Sequence, residues 1–409
     1  MSNSLDKSVI YLDHAASTPI DPEVLAVMSL AYSTTYGNPS SLHQIGRQAV
    51  DTLDTARTRI ATTLEVKPDE IIFTGSGTES DNLAIIGIAR ANQMHGRHIV
   101  VSSIEHKAVL AAAHTLEKEG FSITYIKPDE AGIISVEAVL SAVTTDTILI
   151  SIMYANNEIG TVQPIKAISE ALKNIRPDQT YPIIHTDACQ APGMLPISPT
   201  TLDVDAMTLN GAKVYGPKGV GLLYLKKGIA IEPVLVGGGQ EGGLRAGTES
   251  VPLILGFALA LEKAVANTKK ESVRLRSLQQ FFIAELESKL SVVILNGHRT
   301  ERLSNNINIC IPDVEGESLV LLLDQANICC ATGSACSAQD LEPSHVLRAI
   351  GRNDDIIHGS LRFSLGKSTT KKDLQYTVET LVASVTRLKS ITASTVSALT
   401  KHNFYVSKT

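Results

Sequence analysis

Ile71-Ile72-Phe73-Thr74-Gly75-Ser76-Gly77-Thr78-Glu79-Ser80 changes character halfway along. Four strand-type residues run into a turn of small residues, and Glu79–Met94 then carries apolar residues at helical spacing. The same change recurs through roughly the first half of the chain. Short runs rich in Ile and Val (Ile99–Ser102, Ile123–Ile126, Ile148–Ile152, Ile183–Asp187) alternate with helix-like segments such as Ala108–Glu119 and Pro164–Asn174. Strand and helix in alternation predict βαβ units, hence a mostly parallel sheet with helices on both faces. After about Val251 a long helical stretch reaches toward Leu290, and the shorter strands and helices beyond it predict a second domain. The tail from Thr392 to Thr409 is polar and weakly patterned.

A chain of 409 residues, 44% of them hydrophobic, is long enough for two ordinary globular domains. A net charge of −6, without Lys/Arg runs interleaved with aromatics, argues against direct nucleic-acid binding. No apolar stretch is read as reaching the roughly 18 to 20 residues a membrane span needs, and Met1–Ser8 is too short and polar for a targeting peptide, so a cytoplasmic protein is expected. The five cysteines (Cys189, Cys310, Cys329, Cys330 and Cys336) are odd in number and lack C-x-x-C spacing, which fits neither a disulfide framework nor a structural zinc site. Cys310, Cys329 and Cys330 sit in or beside apolar runs and read as small core residues. Cys336, among small polar residues, does not.

Ligands of open α/β sheets gather at the carboxyl ends of the strands, and the notable polar residues of this chain lie there. Gly75 to Ser80 exposes backbone N–H groups before a helix; with the Thr78 hydroxyl they make either a simple cap or an anion cradle. His106, in Ser103-Ile104-Glu105-His106-Lys107, is either a surface residue at a helix start or a ring positioned for stacking and proton transfer. Asn156-Asn157 is turn chemistry or a pair of amides facing a ligand. Asp187 ends the apolar run Tyr181–Thr186, and Gln190 follows three residues on. Farther along, Asn210-Gly211-Ala212-Lys213-Val214-Tyr215-Gly216-Pro217-Lys218-Gly219 places Lys213 in a Gly/Pro turn. A Schiff-base lysine with an acid to hold a pyridinium nitrogen protonated is what pyridoxal phosphate chemistry requires. Each feature is weak alone; together they converge on that cofactor.

Asp13-His14-Ala15-Ala16-Ser17-Thr18-Pro19, Gly37-Asn38-Pro39-Ser40-Ser41, Gly77-Thr78-Glu79-Ser80-Asp81-Asn82, Glu105-His106-Lys107, Asn156-Asn157-Glu158-Ile159-Gly160, Tyr215-Gly216-Pro217-Lys218-Gly219 and Gly333-Ser334-Ala335-Cys336 resemble the cysteine desulfurases of the NifS/IscS type, in the class V aminotransferase superfamily. The resemblance runs from about Tyr11 to Leu388, with its motifs in order. It implies a fold-type I pyridoxal-phosphate architecture. A large domain (19–263) would hold a mixed, mostly parallel seven-stranded sheet. A smaller α+β domain (1–18 plus 264–409) would carry the loop of Cys336, and two subunits would form a homodimer.

Position by position, the resemblance assigns Lys213 the Schiff base, Asp187 the ring nitrogen and His106 the stacking and proton-transfer role. Asn157 and Gln190 would hydrogen-bond the ring substituents. Gly77, Thr78 and Asn210 would hold the phosphate, with Thr248 reaching in from the other subunit. Arg362 would clamp the substrate carboxylate with help from Asn38. Cys336 would attack the sulfur of bound L-cysteine, release L-alanine and carry the sulfur as a persulfide. Its loop resembles the long-loop group, which implies delivery to a sulfur acceptor or an iron–sulfur scaffold, where Cys336 would transiently share a cluster.

Three departures stand out. Where the family has Ser-Gly-His-Lys this chain has Asn210-Gly211-Ala212-Lys213, and Glu241-Gly242-Gly243 replaces Glu-Arg-Gly. One missing hydrogen bond to a charged phosphate is worth about 1.5 to 3 kcal/mol, which predicts weaker cofactor retention. The C-terminal tail does not resemble the scaffold-docking end of the housekeeping enzymes. Competing readings are another class V enzyme (an aminotransferase, selenocysteine lyase or C–S lyase) or a degenerate binding paralogue. Cys336 favours the desulfurase, because a simple lyase or transaminase needs no acceptor thiol.

Overall fold

The computed structural model describes residues 9–175, 180–333 and 343–406. Its central sheet is built from β2 (Ile71–Thr74), β3 (His98–Ser102), β4 (Ser122–Ile126), β5 (Thr147–Ser151), β6 (Ile183–Asp187), β7 (Ala206–Asn210) and β8 (Gly221–Leu225). The order across the sheet is β2-β8-β7-β6-β5-β3-β4. β3, β4, β5, β6 and β7 pair in parallel, while β8 runs antiparallel to both β7 and β2. This is the mixed, mostly parallel seven-stranded sheet that the resemblance implied.

The apolar runs are buried on both faces, as helix-covered strands require. Val100, Ile150, Ile184, Met207 and Leu222 point into one core, and Ile99, Val101, Leu149, Ile183 and Leu223 into the core on the opposite face. β7 and β8 had no place in the alternating reading, because no helix separates them. The segment between them is the Gly/Pro turn that carries Lys213.

The long helix beginning at Val251 runs to Lys289 and packs against helices Pro22–Thr34 and Gln44–Leu64. One 18-residue window in it is apolar enough to cross a membrane by length and composition, contrary to the sequence expectation. In the fold, Val251, Ile254, Phe257 and Leu261 bury that apolar side in the first core. Farther along the same helix, Leu275, Phe282 and Leu286 enter a different core with Ile307, Leu361, Phe363 and Leu12.

This second core lines a four-stranded antiparallel sheet ordered β12-β13-β10-β9: β9 (Ile294–Leu295), β10 (Asn306–Cys310), β12 (Ala331–Thr332) and β13 (Ser360–Ser364). The N-terminal β1 (Ile10–Tyr11) pairs in parallel with β11 (Ile328–Cys329) and brings Leu12 into this core. The final helix, Lys371–Val406, continues through the tail whose sequence pattern is weak.

Candidate active site

The carboxyl ends of five strands of the central sheet open onto one cavity of about 260 Å³. Gly77 and Thr78 come from the turn after β2, His106 from that after β3 and Asn157 from that after β5. Asp187 ends β6, Asn210 ends β7, and Gln190 and Lys213 follow those strands closely; all eight line the cavity. Arg362, from the middle of β13, closes the side toward the second core. Asn38 and Thr248 are exposed and lie outside this lining. Cys336 lies outside the described residues.

The Gly77 end of the cavity is shaped by close approach. Ser76, rather than Thr78, caps the helix, its hydroxyl accepting from the Glu79 N–H at 3.1 Å, so helical backbone begins at Gly77. A Cβ on Gly77 would stand 2.9 Å from Cys189 Sγ and 3.0 Å from Asn210 Nδ2, closer than side chains tolerate. The turn is braced from behind by Glu79, which accepts from the Gly75 N–H at 2.8 Å and pairs with Arg245 at 2.7 Å. Ala212 presents a methyl group to the cavity where the family's histidine would present a donor. Gly242 stands at φ +66°, and among the described residues nothing lies within 4 Å of where its Cβ would be. Glu241 beside it instead takes Arg57 and the Phe73 N–H, tying that loop to β2.

The other cavity-lining residues are held individually. His106 Nδ1 accepts from the Ala108 N–H at 3.2 Å, which places the proton of the neutral ring on Nε2. The two asparagines divide their tasks. Asn156 Oδ1 accepts from the N–H groups of Glu158 and Ile159 and fixes the turn, leaving Asn157 to line the cavity. Asp187 accepts from the Cys189 N–H at 2.9 Å. Lys213 Nζ donates to the carbonyls of Ala15 and Ala16, and Gln190 Nε2 also donates to Ala15 O.

Behind Asp187 lies a cluster whose chemistry the sequence did not reveal. Asp81, buried in the cavity wall, is raised well above the carboxylate range by burial and then by the charge of Asp187. Glu105, fully buried and accepting from the Met153 N–H at 2.7 Å, is pushed up to about 8, mainly by burial. His185 is bracketed by Ser151 and Thr208 at 2.9 and 3.0 Å, and burial lowers it to about 4. Burial, then Asp187 and Asp81, also raise the Cys189 thiol, so it stays protonated. Burial is thus the main force keeping these groups neutral; the Asp187 charge adds to it at Asp81, Glu105 and Cys189 and opposes it at His185. Asp81 had one sequence signal: it falls three residues after Thr78, on the same helix face.

Pyridoxal phosphate is the group the resemblance implies, and these residues suit it. The Gly77 turn leaves only backbone-sized room for a phosphate. Asp187 supplies a carboxylate, Lys213 an amine and His106 a ring to the same cavity. Among the described residues, no three His, Cys, Asp or Glu side chains are grouped to hold a metal ion.

The comparisons agree with this geometry. The model of the aminotransferase class V family matches residues 10–377. The cysteine desulfurase IscS of Dictyoglomus turgidum is 47% identical over 386 residues, covering 94% of this chain and 96% of its own. Among solved structures, a NifS-like protein superposes with a TM-score of 0.86 at 34% identity, over 93% of this chain and 100% of its own. SspA, solved in complex with cysteine, gives 0.75 at 36% identity over 87% and 98%. The strand-end cavity and these matches together show that the chain belongs to the class V aminotransferase family, among the cysteine desulfurases.

Proposed function

We propose that this chain is a pyridoxal-phosphate-dependent cysteine desulfurase: L-cysteine and the Cys336 thiol give L-alanine and a Cys336 persulfide. The observation that carries the reading is one cavity lined by Lys213 and Asp187 from the strand ends of the central sheet and by Arg362 from β13. When bound, pyridoxal phosphate supplies an electron sink that stabilises a carbanion at the amino acid's α-carbon.

The chain's own residues do the rest. Lys213 offers the amine that holds the cofactor and the base that moves the α-proton. Asp187 keeps a proton on the ring nitrogen, His106 covers the ring, and Asn157 and Gln190 orient it. The Gly77, Thr78 and Asn210 donors take the phosphate, joined by Thr248 of the partner subunit in a homodimer. Arg362, with Asn38, receives the substrate carboxylate. Cys336 accepts the sulfur and passes it to an acceptor, including an iron–sulfur scaffold on which it would share a cluster. SspA, solved with cysteine, supports the choice of substrate.

The setting is expected to be cytoplasmic, with neither nucleic acid nor membrane as a direct partner. Domains of 19–263 and of 1–18 plus 264–409 are supported by the separate cores, with Leu12 packing among residues 275–385. The test is direct. The purified protein, loaded with pyridoxal phosphate, is given L-cysteine with and without a thiol reductant, and alanine and sulfide are assayed. Alanine from wild type, lost in Cys336→Ala, is the expected result. Equal sulfide release from both would remove the persulfide step.

A further inference from the structure

We propose that Asp13 is a positioning residue for substrate binding: it fixes the Arg362 guanidinium so that the free edge meets the substrate carboxylate. This rests on the desulfurase reading, in which Arg362 is the clamp.

Arg362 is only 2% exposed. Its Nη2 donates to Asp13 Oδ1 at 2.8 Å and its Nη1 to the Asn157 carbonyl at 3.2 Å, while the buried Nε has no partner among the described residues. A cation with so little contact with water needs a nearby anion before substrate arrives, and Asp13 is the one it pairs with. The Asp13 side chain keeps 21% of its surface, so the pair is hydrated on one side.

Asp13 is itself immobilised by the strand that bears Arg362. It bridges Ser364 on β13, the Ser364 N–H donates to Leu12 O at 2.7 Å, and the Ala15 N–H donates to Ser364 Oγ at 2.8 Å. Carboxylate and guanidinium therefore share one backbone frame. With Nη2 on Asp13 and Nη1 on the Asn157 carbonyl, the guanidinium is anchored at two of its three nitrogens, and Nε–H with one hydrogen on each Nη is left uncommitted among the described residues for a two-point fork. Two-point recognition of a carboxylate needs such a fork held still. Asp13 touches neither substrate nor cofactor in this account; it acts through Arg362.

The experiment uses the cofactor-loaded enzyme and two amines, L-alanine and ethylamine, which differ by the carboxylate. Binding of each is followed by the change in the cofactor's visible absorption in wild type, Asp13→Asn and Asp13→Ala. In Asp13→Ala the dissociation constant for L-alanine is expected to rise about tenfold or more, and that for ethylamine by less than about twofold. KM for L-cysteine should follow L-alanine, while kcat stays within about threefold. Asp13→Asn keeps the shape and a hydrogen-bond acceptor, so it should fold even if the alanine variant does not. It should show the same selective loss at about a third of the size or more.

Equal weakening toward both amines would reduce Asp13 to a structural role. Tighter L-alanine binding in Asp13→Asn would make Asp13 a competitor for the clamp, and either result overturns the proposal. If wild type makes no alanine from L-cysteine, the desulfurase reading fails on its own, and the comparison of the two amines still reports on the clamp.

Discussion

Lys213 Nζ donates to the backbone carbonyl of Ala15 at 2.8 Å, 198 residues away in sequence. The Ala15 oxygen also accepts from Gln190 at 3.0 Å, so the N-terminal segment holds the amine and a cavity-lining amide by one atom. Replacing Lys213 by Ala should abolish covalent cofactor attachment and lower kcat by about a thousandfold or more. The visible absorption band and alanine production read the two effects. A variant that retains both would remove Lys213 from the chemistry.

Ala212 brings no side-chain donor to the cavity. Ala212→His should tighten pyridoxal phosphate binding by about ten- to a hundredfold, through one added hydrogen bond to a charged group. Equilibrium dialysis of the apoprotein against the cofactor measures this, and an unchanged affinity would show that Asn210 already makes good the loss.

Gly77 is needed for space. Gly77→Ala would drive a methyl to within 2.9 Å of Cys189 Sγ, and cofactor affinity should fall by about tenfold or more. Removing the sulfur in the double variant Gly77→Ala/Cys189→Ala should recover part of that loss. Additive losses, instead of recovery, would mean that Asn210 or the phosphate itself is the obstructing group.

Two pH windows should appear in stability. Burial raises Glu105 to about 8, so the fold binds a proton that the unfolded chain gives up near the ordinary carboxylate value. The stabilisation is full below about 4.5 and is lost as pH rises through about 8. His185 and His14, both lowered to about 4 by burial, behave in the opposite sense. Their contribution is full above about 6.5 and is lost as pH falls through about 4. Glu105→Gln keeps the acceptor for Met153 and removes the titration. Its urea midpoint should decline less than that of wild type between pH 5 and 8.5, and parallel curves would contradict the assignment.

The parts legible in sequence were those governed by local rules. β2 to β6 follow from runs of Ile and Val, and the cavity position follows from the strand ends, because side-chain period and sheet topology act over a few residues. The cap at Ser76 was misread as Thr78, since both hydroxyls stand before the same helix and only backbone geometry separates them. β7 and β8 escaped because they are antiparallel neighbours joined by a turn instead of a helix. The pairing of Asp13 with Arg362 and the crowding of Asp81, Glu105 and His185 behind Asp187 join distant segments, and no periodicity encodes them. The roles of the individual side chains were suggested by resemblance, while their spacing alone left each one open.

β13 deserves a mechanical reading. It carries Arg362 and pins Leu12 and Ala15, next to the carbonyls that hold Lys213. It also pairs with Ala331 and Thr332, and Gly333 beyond them bonds to Ser360. Arg362, the carbonyls that tether Lys213 and the Gly333 backbone are thus referenced to a single rail. A small displacement of that rail would shift all three together and preserve their mutual alignment, whereas three separate supports would accumulate independent errors.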